Sequence, residues 1–205
     1  MEQTKLKRFK RILCIFILSI IFNTSLNSYT FTNNNDIKYR ALSNITKNEN
    51  VFNEKDSIKN EIIIEVKKYI LKQSPKSHKN IPEYIVNGAL NHNIDICFIM
   101  AQTQLETNFG TLGAGREVSR RSMFGVAGKK YLNYQDAVND YCKILRKSYL
   151  VRGRTEQHLL TKYVTYTGKR YAANMRYEKE LSTVYRNILS KTKISSLQTK
   201  FNRLS

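Results

Sequence analysis

Hydrophobic residues fall into helical register from Ile58 onward, whereas the stretch before it shows no sustained apolar period. Ile62, Ile63, Val66, Tyr69 and Ile70 share one face of a 3.6-residue repeat and predict a first amphipathic helix that stops near Ser74-Pro75. Pro82 suits the first turn of a second helix carrying Ile85, Val86, Ala89 and Leu90, although Gly88 is a poor residue for its interior. After Asn91-His-Asn93, the run from Ile94 to Met100 is almost wholly apolar and predicts a buried helix that continues to Glu106. Gly110 then supplies the residue type that most often ends a helix in a left-handed conformation. Tyr131 to Tyr141 opens a further helix, and the segment Tyr163 to Tyr177 leads into another. Strand-like alternation never lasts beyond a few residues, so the fold is expected to be mainly α.

The flanks read differently. Lys5, Lys7, Arg8, Lys10 and Arg11 precede an apolar run from Ile12 to Phe22, the layout of an export signal. That run is shorter than the roughly twenty residues a membrane span requires. Residues 1–28 therefore read as either a removed signal or a signal anchor, placing the protein in the cell envelope or outside the cell, with a bacterial or a phage gene equally compatible. Residues 29–57, rich in Asn, Ser, Thr and Lys, read as a polar linker, residues 58–192 as one catalytic domain, and residues 193–205 as a basic tail.

With 205 residues and 41% hydrophobic content, the chain can bury one sizeable core, expected as a monomer. It carries 35 Lys and Arg against 16 Asp and Glu, a formal charge of +19. Removing residues 1–28 leaves 30 against 15, so the excess belongs to the body of the protein. A polyanion or an anionic surface is the expected partner, and peptidoglycan, wall polymers, anionic membranes and nucleic acid share that chemistry. Tyrosines interleaved with Lys and Arg after Lys162 keep nucleic acid in view, while the export signal argues against it.

Candidate chemistry centres on Ala101-Gln-Thr-Gln-Leu-Glu106-Thr-Asn-Phe-Gly110. A Glu on the last turn of a buried helix meets the negative end of the helix dipole. Burial and dipole both disfavour the charged form, which suits a general acid. Most helical Glu residues are solvated surface groups, so this segment alone decides little. Gln102, one turn earlier, shares the face of Glu106 and can bond the carboxyl, contact a sugar, or simply pack.

Two downstream segments change the balance: Ser122-Met-Phe-Gly125, and Tyr163-Val-Thr-Tyr166 through Tyr171-Ala-Ala-Asn-Met-Arg-Tyr177. In this order the three segments resemble the glucosaminidase family of peptidoglycan hydrolases, over roughly residues 58 to 192. The resemblance implies a lysozyme-like helical domain, peptidoglycan glycan strands as substrate, no cofactor, and Glu106 as the catalytic acid. It places Phe124 in a turn lining the cleft, where its ring would stack on a sugar or merely cap the core, and Tyr171 near the acid, where it would orient an acetamido group or face developing positive charge. Tyr166 is a further candidate for substrate contact. Many members of that family carry a second carboxylate on a β-hairpin after the Phe-Gly turn; here only Ala127-Gly-Lys-Lys130 separates the turn from Tyr131, so the hairpin is expected to be reduced or absent. Glu117, and Asp136 or Asp140 on the next helix, are the local candidates for a second carboxylate, each with an ordinary structural alternative. The reaction is expected to be endo-β-N-acetylglucosaminidase cleavage, with a muramidase, a lytic transglycosylase and a non-catalytic wall-binding scaffold as alternatives.

His78, His92 and His158 lack the spacing that puts two imidazoles on one helical face, and no metal site is expected. Cys97 and Cys142 lie in apolar helical stretches and read as core thiols or, in an oxidising compartment, as a pair.

Overall fold

The protein was analysed as a computed structural model that describes residues 34–125 and 129–204, with side chains from residue 51. The segment expected to be an export signal, and residues 126–128 where a reduced or absent hairpin is expected, lie outside the described residues. Among those described, the architecture is mainly helical, with a single isolated antiparallel bridge between Val164 and Arg170. Eight α-helices follow one another in it: α1 (Asn34–Gln73), α2 (Ile81–Asn91), α3 (Ile96–Thr107), α4 (Gly113–Arg116), α5 (Tyr134–Ile144), α6 (Glu156–Thr161), α7 (Tyr177–Lys191) and α8 (Ile194–Arg203). None of the described helices is long and apolar enough to cross a membrane. The chain divides into two units, residues 1–50 and 51–205. The second unit holds everything that follows.

The stretch expected to be a polar linker is helical from Asn34, and no Pro or Gly interrupts residues 34 to 73. In the second unit α1 packs through Ile58, Ile62, Val66, Tyr69 and Ile70, and it ends before Pro75 as expected. Pro82 occupies the first turn of α2. At Gly88 helix α2 packs tightly on α5, since a Cβ there would lie 2.6 Å from Val138 Cγ1. A residue that is unfavourable for the helix alone is thus required by its neighbour.

Helix α3 runs through the core, with every residue from Ile96 to Thr103 buried. Its start is fixed three times over. Asp95 Oδ1 accepts from Cys97 N at 2.7 Å and from Phe98 N at 3.4 Å, Glu156 accepts from Asp95 N at 3.2 Å, and Gln198 bridges Ile96 N and Ile94 O at 2.9 and 2.8 Å. Gln198 belongs to α8, which corrects the reading of residues 193–205 as a tail. Ile194, Leu197, Phe201 and Leu204 recur at helical spacing and pack on the core, and the surrounding Lys and Arg had masked that period.

Candidate active site

Helix α3 ends abruptly beyond Glu106. Asn108, Phe109 and Gly110 all have positive φ (46°, 56° and 79°), so the left-handed cap starts at Asn108, two residues before the glycine expected to make it. Such a conformation is costly for a bulky residue. It is held because the Phe109 side chain is fully buried and Ser74 and Ser77 donate to the carbonyls of Asn108 and Phe109, each at 3.0 Å. Thr107 Oγ1 donates to Met123 O at 3.0 Å and thereby docks the Phe-Gly turn under the helix end.

That turn meets the carboxyl directly. Gly125 has φ 61°, and a Cβ built on it would stand 3.0 Å from Glu106 Oε2. Glycine is needed here on both counts, backbone conformation and space. Phe124 itself points the other way: its ring is only 1% exposed and lies stacked on Tyr141, with centroids 3.9 Å apart and planes within 5°. A ring buried on both faces has nothing left for a sugar, so Phe124 is a core anchor of the turn rather than a stacking platform.

Five tyrosines and Gln102 surround the acid. Tyr177, the first residue of α7, donates its hydroxyl to Glu106 Oε1 at 2.5 Å. Gln102, fully buried, donates from Nε2 to Tyr177 Oη at 2.7 Å and accepts at Oε1 from Tyr163 at 3.0 Å. Tyr163 in turn shares a 2.6 Å bond with Tyr141. Tyr171 lies stacked on Tyr163 with centroids 4.5 Å apart and donates to the carbonyl of Phe124 at 2.7 Å. Tyr149 closes the cluster edge-on to Tyr163, carried by a π-helical turn, Leu145–Tyr149, that extends α5.

Burial pushes the Glu106 carboxyl above the usual carboxylate range, opposed by the tyrosine hydroxyls of Tyr177 and Tyr171 that favour its charged form. Burial and the adjoining carboxylate also drive the Tyr177 and Tyr171 hydroxyls well above their ordinary range, so both remain donors at any physiological pH. The other buried acid nearby behaves oppositely. Burial works against ionisation of Glu178, but Tyr163 N–H at 3.0 Å and both Arg170 contacts, at 2.8 and 2.9 Å, hold its carboxyl below the usual range. Glu178 is therefore a fixed anion that braces the bridge at Val164 and Arg170.

The structure brings Glu106, Gln102 and Tyr171 together as a cluster. It leaves Tyr166 half exposed beyond that cluster, with Arg152 over its ring at 5.4 Å. Glu117 lies at the surface in an ion pair with Arg120, and Asp136 is exposed and engaged with Asn133 at the start of α5. Tyr177 is the residue that sequence reasoning failed to single out. It closes the Tyr171-Ala-Ala-Asn-Met-Arg-Tyr177 segment, and its place there was the available signal. Lys129 and Tyr131 reach Asp140 at 2.6 and 2.8 Å.

Cys97 and Cys142 are both free and buried, and burial pushes the Cys142 thiol up to about 12. No group of three or more His, Cys, Asp or Glu suited to a metal ion occurs among the described residues. The chain matches no protein-family model and none of the curated proteins. Function must accordingly be argued from this cluster and from the order of its motifs.

Proposed function

We propose that the protein is a glycoside hydrolase of lysozyme-like fold, with Glu106 as general acid. More particularly, it is read as an exported peptidoglycan hydrolase that cleaves β-1,4 bonds as an endo-β-N-acetylglucosaminidase. The observation that carries this reading is the environment of Glu106: a half-buried carboxyl, raised toward neutrality by burial, held by Tyr177 and faced by Gly125.

In this reading the protonated carboxyl donates to the glycosidic oxygen as the bond from that oxygen to C1 breaks. Positive charge then develops on the sugar ring beside an anionic Glu106 and the faces of the surrounding tyrosines. The acetamido oxygen of an N-acetylglucosamine closes onto C1, and a water deprotonated by Glu106 reopens the ring, restoring the acid. One carboxyl serves both steps. The engagement of Glu117, Asp136 and Glu178 with other partners favours such a single-acid scheme over a two-carboxylate one. The same economy suits the second reading, a lytic transglycosylase in which the sugar's own 6-hydroxyl attacks.

Digestion of purified peptidoglycan by the full chain, with product ends identified by mass spectrometry after borohydride reduction, tests the assignment. Reduced N-acetylglucosamine ends are expected. Reduced muramic ends would reassign the enzyme as a muramidase, anhydromuramic ends as a transglycosylase, and no release by folded protein would leave a wall-binding scaffold.

A further inference from the structure

The groups around Glu106 are bonded in one direction. Tyr163 spends its only hydroxyl proton on Gln102 Oε1, so the 2.6 Å bond with Tyr141 must be donated by Tyr141. The Gln102 amide then presents its N–H to Tyr177, whose own proton goes to Glu106 Oε1. Tyr171 donates to Phe124 O and lies beside the same carboxyl, whose charged form it also favours. All four side chains that form the chain are at least nine-tenths buried, with Tyr177 the least so at 7% exposure. Tyr177 meets Oε1, and Oε2 lies against Gly125.

We infer that Tyr141, Tyr163, Gln102 and Tyr177 form a directed positioning relay that commits Oε1 of Glu106 to accepting a hydrogen bond and reserves Oε2 as the oxygen that carries the transferable proton. The orientation of the Gln102 amide sets the direction. With its carbonyl held by Tyr163, only the N–H can face Tyr177, and Tyr177 is left with Glu106 as its acceptor. A donor is thereby in place before the carboxyl becomes an anion, which is the moment at which it is needed. The inference rests on reading Glu106 as the acid, but its test needs no substrate.

The experiment is a titration of the Glu106 carboxyl by carbon-13 NMR in the full chain, comparing wild type with Tyr177→Phe and Tyr163→Phe. Losing the Tyr177 hydroxyl removes a bond to the charged form, so the midpoint should rise by about one pH unit. Tyr163→Phe removes no atom bonded to Glu106. It frees the Gln102 amide to turn and take the Tyr177 proton, so the midpoint should move the same way by a smaller amount. A space-filling role would move neither, since Phe preserves the ring. An unmoved midpoint in folded Tyr163→Phe overturns the relay, even if Tyr177→Phe shifts. Should the variants fail to fold, wild type still decides: a slowly exchanging tyrosine hydroxyl proton whose resonance follows the Glu106 titration is expected, and its absence overturns the inference. A relay found in a protein that digests no peptidoglycan would leave the relay standing and remove the glycosidase, and the converse result would separate them the other way.

Discussion

The two ends of α3 carry the same pair of residues in opposite employment. At its start Asp95 Oδ2 accepts from Tyr185 at 2.5 Å, and at its end Glu106 Oε1 accepts from Tyr177 at 2.5 Å. Both tyrosines come from α7, which runs antiparallel to α3, so a single helix pair presents two acid–tyrosine bonds. They differ in what becomes of the second oxygen. Asp95 gives its Oδ1 to the backbone N–H groups of the first turn, where the helix dipole welcomes negative charge. Glu106 sits at the opposite pole, where burial disfavours its charge and its Oε2 lies against Gly125. A saturated carboxylate holds a fold together, and one with disfavoured charge is available for chemistry.

Substitutions at each end should separate the two roles. Glu106→Gln should lower the rate of peptidoglycan digestion by about three orders of magnitude, within the range attributed to general acids. Its effect on stability should be small and of the opposite sign. A carboxyl whose folded pKa lies above its unfolded value favours the folded state below the unfolded pKa, and that contribution disappears as pH rises through the folded one. Glu106→Gln should therefore melt higher than wild type at neutral pH and level with it near pH 3, which calorimetry across pH would show.

Asp95→Ala should be the most destabilising polar substitution, by about 3 kcal/mol, since it removes a cap and leaves the buried side of Tyr185 without its acceptor. Chemical denaturation measures it. Gln198→Ala attacks the same end from α8 and should cost about 2 kcal/mol, because Ile96 N–H and Ile94 C=O are both left unpaired in the core. A negligible cost would mean that the C-terminal helix is as dispensable as a tail.

Gly125→Ala probes the far side of Glu106. The positive φ alone should cost about 1 kcal/mol, and the added Cβ should crowd Oε2, reducing digestion more than stability. The smallest effects are expected at Glu117→Gln and Asp136→Asn, which should leave the digestion rate within about twofold, as surface substitutions away from a site usually do. A collapse of activity in either would reveal a second carboxylate and end the single-acid scheme.

What could be read from the sequence follows this division. The buried run from Ile94 to Met100 and the glycine beyond Glu106 announced a core helix that stops at an acid, and Pro75 and Pro82 marked the ends of its neighbours. Periodicity and stop residues are local signals, and they survive without a fold. The saturation of Asp95 was not legible, because two of its partners, Glu156 and Tyr185, lie 61 and 90 residues away. Thirteen tyrosines defeated any choice among them until the fold selected Tyr177. Helix α8 was legible in principle through Ile194, Leu197, Phe201 and Leu204, but its basic composition drew the eye from its period. Phe124 stayed open between sugar and core for a different reason: its place beside a glycine turn was apparent, while the direction of its ring depends on Tyr141 from another helix.

This division of roles between the two ends of α3 is tested most directly by a crossed comparison of Glu106→Gln and Asp95→Ala in the full chain, each measured for peptidoglycan turnover per folded molecule and for unfolding free energy at neutral pH. It predicts that Glu106→Gln loses turnover and keeps or gains stability, while Asp95→Ala loses stability and keeps the turnover of whatever remains folded. Wild-type turnover in Glu106→Gln, or stability lost equally at both ends, would contradict it.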